Sequence, residues 1–283
     1  MLVRFVALLI LIAGAGLSQP APLYENWRKP FPAHRIIGNV YYVGTYDLAC
    51  FLITTPEGHI LINTGLADST PLIRASIEEL GFRFEHVKIL LTMQAHFDHV
   101  AAFAEVQRLT GARVWATEGD APVLEDGGKS DYHLGKDYHF APVKVDRILG
   151  DREKIRLGGR ELTVYLTPGH TKGSASYAMR VWENGRDYNV LFANMNTINT
   201  GVKLVNNPKY PQIAEDYARA VHVQKELPCD VFLAAHAGQY GLHRKFKPGM
   251  PYAPNRFVDP EGYRAAVAEY ENVFREQLKR ESR

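Results

Sequence analysis

Three segments that carry histidine each follow a short apolar run, and this repetition constrains the fold more than any other feature of the chain. The richest is the stretch 96–99, His-Phe-Asp-His, which comes shortly after a strand-like run at 87–91. The other two segments place His170 and His236 behind apolar runs of their own. Functional side chains are commonly found where strands end and loops begin. Packing alone does not account for three such strand ends, so we interpret them as parts of a metal site.

Histidine and aspartate are ligands that zinc prefers, and catalytic zinc sites leave one coordination position open to water. His96, Asp98 and His99 lie too close together in the chain to face one side of a strand or helix. Their side chains can therefore point towards two neighbouring positions, which predicts two metal ions. The alternative interpretation makes them ordinary loop residues, with Asp98 as a helix N-cap. The separate segments around His170 and His236 favour the metal site over that alternative.

Strand-like and helix-like patterns alternate along the chain, without a repeat, a low-complexity tract or a linker. Apolar residues at helical spacing predict helices that begin near Thr70, Ile213 and Tyr263. The stretch 244–257, which has three prolines, is predicted to be an irregular surface loop. This mixture indicates one α/β domain over residues 19–283, with sheets covered by helices. The predicted strands lie at 41–43, 50–54, 60–62, 87–92, 113–116, 162–166, 175–181 and 190–193.

Composition excludes several classes of protein. The 33 Lys and Arg residues nearly balance the 31 Asp and Glu residues and are dispersed, so no nucleic-acid partner is expected. With 46% hydrophobic and 23% charged residues, the chain is neither disordered nor a multi-span membrane protein. The two cysteines, Cys50 and Cys229, cannot form a disulfide framework. Their apolar neighbours predict two buried free thiols.

Residues 1–18 have the pattern of a secretory signal peptide. Arg4 supplies a basic start, and an uncharged aliphatic run extends from 5 to 17. A membrane span needs about 20 apolar residues, and glycines interrupt this run before that length. An uncleaved anchor is the weaker alternative. We therefore expect export to the periplasm, cleavage of the leader and no stable membrane association afterwards.

Longer strings connect the histidine segments to a known family. The motifs Gln94-x-His96-x-Asp98-His99, Gly-His-Thr at 169–171 and Ala-His at 235–236 are similar to the metal motifs of the metallo-β-lactamase superfamily. The resemblance extends over essentially the whole chain after the leader. The strings at 41–49, 61–65, 127–132, 169–174 and 193–195 are similar to the GOB-like branch of the B3 subclass of metallo-β-lactamases.

The resemblance implies an αβ/βα sandwich whose metal centre lies at one edge of two sheets. It also implies one site for each of two zinc ions. The implied ligands are Gln94, His96 and His170 for the first zinc ion, and Asp98, His99 and His236 for the second.

The resemblance further implies an activity, hydrolysis of the β-lactam amide bond of penicillins, cephalosporins and carbapenems by a metal-bound hydroxide. Asp98 is the implied catalytic residue, because it would orient this hydroxide as well as bind the second zinc ion. Thr197 falls where the subclass places a hydroxyl against the substrate. Lys129 is a second implied substrate contact, with a solvated surface charge as the alternative. A small-molecule β-lactam is then the expected partner, and the chain is expected to be a monomer.

Three positions depart from the usual superfamily pattern. Most relatives carry His where this chain has Gln94, and an amide oxygen is a weaker zinc ligand than imidazole. The prediction is therefore one or two zinc ions, with the first site weaker. Asn194-Met195 stands where hydrolases of thioesters, lactones and many phosphoesters carry a bridging Asp, which favours the β-lactamase subclass. Asn63 replaces an Asp and removes an outer carboxylate.

Two alternatives stay open. The first is another hydrolase of the superfamily, acting on a lactone, a thioester or a phosphodiester. The second is a secreted zinc-binding protein with a decayed site, for which Gln94 and Asn63 would be the marks.

Overall fold

The computed structural model describes residues 22–283, so the predicted signal peptide at 1–18 lies outside the described residues. Two β-sheets form the centre of this part of the chain. The first contains, in spatial order, β1 (His34–Ile37), β2 (Val40–Tyr42), β3 (Phe51–Thr55), β4 (Gly58–Ile62), β5 (Val87–Leu91), β6 (Arg113–Thr117) and β7 (Arg147–Leu149). The second contains β12 (Val231–Ala234), β11 (Arg186–Ala193), β10 (Ala175–Glu183), β9 (Arg160–Leu166) and β8 (Lys154–Leu157).

Helices cover the outer faces of both sheets. The helices α2, α4 and α5 share an apolar core with the first sheet, and α8 contributes to the core around β12. The bounds are α1 (Pro22–Arg28), α2 (Thr70–Glu79), α3 (Phe97–Val100), α4 (Phe103–Thr110), α5 (Ala121–Asp126), α6 (Ile213–Glu226), α7 (Leu242–Lys245) and α8 (Pro260–Glu281).

The first sheet is buried on both faces, which explains its nearly continuous apolar strands. In β4, Ile60 and Ile62 belong to the core between the sheets, whereas Leu61 belongs to the core beneath the helices. Side chains alternate across a strand, so neighbouring residues must enter different layers. Phe51 of β3 meets Phe192 of β11 across the sheets, with ring centroids 5.2 Å apart. The layers therefore run helix, sheet, sheet, helix.

Backbone hydrogen bonds join the two sheets at one edge. Ala175, which begins β10, donates its N–H to the carbonyl of Met93, two residues after β5, at 2.9 Å. Ala49, before β3, donates to the carbonyl of Ala235, just after β12, at 3.0 Å. These bonds bring the segments that follow β5 and β12 to the same edge. Val231, where β12 begins, lies 140 positions after Leu91, where β5 ends. This edge is where the histidine segments meet.

The predicted α/β class with helix-covered sheets is confirmed. The helix predicted near Thr70 begins there, and Gly81, with φ +84°, follows its end. The last helix begins three residues earlier than predicted, because the Asp259 side chain accepts a hydrogen bond from Gly262 N and caps it.

The prediction of an irregular loop over 244–257 is wrong in part. The helix α7 ends inside this stretch, and a 3-10 turn forms at Pro254–Phe257. Phe257 is buried, and its ring stacks on His34 with centroids 5.7 Å apart. The prolines predicted that the whole stretch lies at the surface, but the Phe257 side chain packs into the core.

The cysteine prediction holds for Cys50, which is free and buried. Cys229 is also free but only partly buried, so the prediction of a second buried thiol is wrong. The reason is its position in the segment between α6 and β12, where it lines a small cavity with Pro228 and Tyr263. Within residues 22–283, the helices are too short or too polar to cross a bilayer.

Candidate metal centre

Asp98, His99 and His236 form a compact cluster at the edge where the sheets meet. Asp98 and His99 lie on the short helix α3, which begins directly after His96, and His236 follows β12. One ligand atom from each of the three residues lies within 4.8 Å of the others. His99 Nε2 is 3.2 Å from Asp98 Oδ2, and His236 Nε2 is 3.5 Å from the same oxygen. Three donor atoms therefore converge on one small volume.

The nitrogens of His99 show that this cluster fits a cation. His99 is fully buried, and neither of its ring nitrogens makes a hydrogen bond among the described residues, although Nε2 approaches Asp98 Oδ2 to 3.2 Å. Leaving buried polar atoms unpaired costs free energy, and native proteins rarely do so without a reason. A zinc ion that accepts lone pairs from imidazole and carboxylate removes this cost. The residues present thus suit a metal ion in both chemistry and spacing.

The charges of the cluster lead to the same conclusion. Burial alone would raise the pKa of Asp98, but the neighbouring His99 and His236 outweigh burial and hold that pKa well below its usual value. Burial would lower the pKa of His236, yet its hydrogen bonds to Asp47 and Asp98 raise it to about 9. The cluster therefore attracts positive charge, which the protonated His236 supplies here and which a metal ion would supply in its place.

Gln94, His96 and His170 lie beside this cluster and line the same cavity. The rings of His96 and His170 are 4.7 Å apart between centroids. Burial, together with nearby His96, lowers the pKa of His170 to about 3, so His170 is a neutral imidazole at neutral pH. His170 donates Nδ1–H to the carbonyl of Thr197 at 2.7 Å, which leaves Nε2 free. Two imidazoles and one amide thus face the position of the predicted first zinc ion.

The two predicted substrate contacts have different surroundings. Thr197 lines the cavity, and its Oγ1 lies 2.9 Å from His170 Nδ1. Lys129 is exposed and does not line the cavity. Its loop instead supports the histidines, because Tyr132 donates its O–H to the carbonyl of His170 at 3.2 Å.

Carboxylates that the sequence did not single out surround the predicted ligands. Asp47 Oδ2 lies 3.1 Å from His236 Nδ1, and Asp131 Oδ2 lies 3.4 Å from His96 Nε2. Asp120 is buried and accepts hydrogen bonds from Ala95 N at 2.8 Å and Gly173 N at 2.9 Å. Asp47 and Asp131 fall inside the strings at 41–49 and 127–132, which was the available signal. Asp120 stands outside every string that carries the family resemblance.

The cavity above these residues has a volume of about 660 Å³. One wall is aromatic, with Trp27, Phe97 and Tyr138, and the rings of Phe97 and Tyr138 stack at 4.4 Å between centroids. No Ser or Cys is present in the cavity lining formed by residues 22–283. A cavity with the predicted metal ligands at its base and an apolar wall suits hydrolysis of a small organic substrate by water.

Comparisons with known proteins agree with this geometry. Residues 44–181 match the family model of the metallo-β-lactamase superfamily. The structure of a β-lactamase from Chitinophaga pinensis is similar, with 46% identity, a TM-score of 0.88, and coverage of 90% of this chain and 97% of that chain. The metallo-β-lactamase GOB-18 from Elizabethkingia meningoseptica has 43% identity and a TM-score of 0.88, with 90% and 95% covered. The class B3 di-zinc metallo-β-lactamase LRA-12 from an Alaskan soil metagenome has 45% identity and a TM-score of 0.87, with 89% and 96% covered.

This chain belongs to the metallo-β-lactamase superfamily, and the predicted αβ/βα sandwich is confirmed. The solved structures that resemble it include B3 enzymes. Curated sequence relatives are more distant, for example the probable metallo-hydrolase YqgX of Bacillus subtilis, with 26% identity over 155 residues. The chain spans 66% of the length of that relative and 33% of a hydroxyacylglutathione hydrolase from Rhodospirillum rubrum.

Proposed function

We propose that this chain is a zinc-dependent class B β-lactamase, which hydrolyses the amide bond of penicillins, cephalosporins and carbapenems. The observation that carries the proposal is the cluster of Asp98, His99 and His236, in which Asp98 and His236 line an open cavity and the buried His99 ring makes no hydrogen bond from either nitrogen among the described residues. Identity of 43–46% to solved β-lactamases over 89–90% of this chain supports it. The finer assignment, to the GOB-like branch of subclass B3 with Gln94 at the first site, belongs to the same proposal.

The described residues have distinct tasks in such a reaction. Asp98, His99 and His236 would hold a zinc ion, which would supply the Lewis acidity that polarises a carbonyl and makes water nucleophilic at neutral pH. Asp98 is ionised, so its carboxylate accepts a hydrogen bond from the attacking water and aims it at the lactam carbon. The new C–O bond forms as the attacking water releases a proton, the C–N bond of the ring breaks, and the departing nitrogen takes up a proton, so that one water adds across the amide bond.

The aromatic wall and Thr197 orient the substrate. Trp27, Phe97 and Tyr138 offer apolar surface to the substituents of a β-lactam. The Thr197 hydroxyl lies next to His170 and is placed to donate to a substrate carboxylate. We keep Lys129 as a contact that substrate could recruit from the exposed loop.

Removal of metal tests the proposal. Zinc-loaded protein is expected to hydrolyse a penicillin, a cephalosporin and a carbapenem, and a chelator should abolish turnover until zinc is added back. The measurement is loss of β-lactam absorbance, with a hydroxyacylglutathione thioester and a lactone as parallel substrates. If none of the three β-lactams is hydrolysed in a chelator-sensitive way, the proposal is ruled out.

The thioester arm addresses the second candidate function. Several curated relatives are named hydroxyacylglutathione hydrolases, which favours this class of substrate. Against it, the buried residue after β11 is Asn194, whose amide cannot supply a bridging carboxylate. Turnover of the thioester in place of the β-lactams would establish the second candidate. Bound zinc without any turnover would instead identify a metal-binding protein with a decayed site.

Gln94 sets the expected metal content. We propose that the chain works with one or two zinc ions and that the first is held more weakly. Changing Gln94→His adds an imidazole and is expected to raise zinc affinity at the first site by about tenfold or more. Competition with a chromophoric chelator should then show two tightly held zinc equivalents instead of one. The control is Gln107→His, on α4 outside the cavity, which should leave the stoichiometry as it was. Two tight equivalents in the parent protein would contradict the weak first site.

We also propose that residues 1–18 direct export to the periplasm, that cleavage leaves a monomer, and that the activity protects the cell from β-lactams. The leader pattern and the β-lactamase relationship support this. The N-terminal residue and the mass of the exported chain test the export and the cleavage of residues 1–18.

A further inference from the structure

The ring of His236 lies between two carboxylates, one inside the metal cluster and one outside it. Nε2 faces Asp98 Oδ2 at 3.5 Å, and Nδ1 faces Asp47 Oδ2 at 3.1 Å. A histidine that binds metal through one nitrogen usually donates from the other to a carboxylate, which fixes its tautomer and orientation. Asp47 is placed to accept this hydrogen bond from Nδ1 of His236. Nε2 is then the nitrogen that is directed into the cluster.

Asp47 is itself held by other groups. Its Oδ2 accepts a hydrogen bond from Trp27 Nε1 at 3.1 Å, and its carbonyl accepts one from Ala237 N at 2.8 Å. The next residue, Leu48, forms an isolated β-bridge with His236. Side chain and backbone therefore tie the segment before β3 to the segment after β12. The helix α1 takes part through Trp27, which also lines the cavity.

Asp131 has the corresponding position in the other half of the centre. Its Oδ2 lies 3.4 Å from His96 Nε2, while its Oδ1 accepts hydrogen bonds from the backbone of His133 and Leu134. Asp131 and Asp47 thus carry the same charge beside the same cavity, but they contact different histidines. Comparing variants of the two aspartates therefore separates the effect of contacting a particular histidine on zinc affinity from the effect of negative charge.

We propose that Asp47, held in place by Trp27, is a positioning residue for the second half of the metal centre and acts through His236. Asp131 contacts His96 instead of His236, so it provides a control of equal charge beside the same cavity. The inference rests on the proposed metal-dependent function, but only on its metal binding. Affinity for zinc is measured without substrate, so a failure here is distinguishable from a failure of the β-lactamase proposal.

The experiment uses a His170→Ala background, in which zinc bound by the chain reports the second site. In this background Asp47→Ala is expected to raise the zinc Kd by about 10–100-fold, as removal of an outer partner of a ligand histidine does. Trp27→Phe keeps all charges but removes one of the hydrogen bonds that hold the Asp47 carboxylate, and a smaller rise in the same direction is expected. Asp131→Ala removes an equal charge and should leave this Kd unchanged. Competition with a chromophoric chelator measures each value, and circular dichroism verifies folding.

A second readout reports orientation directly. In zinc-loaded protein labelled with ¹⁵N-histidine, His236 should show a protonated Nδ1 that exchanges slowly, and Asp47→Ala should make this exchange fast. Equal weakening of zinc by Asp47→Ala and Asp131→Ala would overturn the proposal in favour of a charge effect. Unchanged affinity in both Asp47→Ala and Trp27→Phe would overturn it as well. If Asp47→Ala does not fold, Trp27→Phe alone decides between the two results.

Discussion

Replacing Asp98 with Asn is expected to lower kcat/KM for β-lactam hydrolysis by about a thousandfold, a loss of about 4 kcal/mol of transition-state stabilisation. The amide keeps the shape of the side chain but removes the negative charge that balances His99 and His236. It also replaces one of the two carboxylate oxygens that could bind metal or orient water with an NH₂ group. Steady-state kinetics on a penicillin, with zinc content measured in the same samples, gives the result.

The matched control for this change is Asp137→Asn, which removes the same charge from the rim of the same cavity. Asp137 is exposed, so solvent screens its charge, and the expected loss of activity is far smaller. A variant Asp98→Asn that retained zinc and lost less than about tenfold in kcat/KM would contradict the role assigned to Asp98.

Replacing Asp120 with Ala is expected to lower the free energy of unfolding by about 3 kcal/mol, because buried donors lose their acceptor. Ala95 N and Gly173 N each donate to the Asp120 carboxylate, and Thr171 Oγ1 donates to it at 3.1 Å. The backbones are packed closely here, since a Cβ added to Gly173 would lie 2.2 Å from Asp120 N. Water therefore has little room to replace the lost acceptor.

Urea unfolding measures this loss, with Asp146→Ala as the control. Asp146 is exposed and accepts a hydrogen bond from the backbone of one residue, Val114, at 2.9 Å. Its removal should cost about 1 kcal/mol or less. Equal losses in the two variants would contradict the larger stabilising contribution assigned to the Asp120 hydrogen bonds.

The predicted ligands lie together in the structure, and this outcome was accessible from sequence. Metal binding requires particular donor atoms, so His96, Asp98 and His99 carried a chemical signal in a single short stretch. The apolar run before them predicted a strand, and strand ends are where such residues can meet. Their roles as ligands stay predictions until metal is measured.

The supporting carboxylates could not be predicted in the same way. Asp47 contacts His236 across 189 positions of sequence, and Asp120 contacts Gly173 across 53. The sequence around an aspartate in a turn does not show whether its carboxylate contacts a histidine or is solvated. Its role depends on which segment packs against it, and strand order decides that. Lys129 lies in a family string but is exposed and does not line the cavity, so its contact with substrate stays a prediction.

The sequence by itself determined the donor atoms of the centre, the alternation of strands and helices, and the absence of a carboxylate at Asn194-Met195. These properties depend on residue identity and on short-range periodicity, both of which can be read along the chain. Only the tertiary structure decided which groups hold the histidines in place. The hydrogen bond between Asp47 and His236 and the contact between Asp131 and His96 form only after two sheets pack and their edges meet. Long-range packing creates these contacts, so no local pattern encodes them.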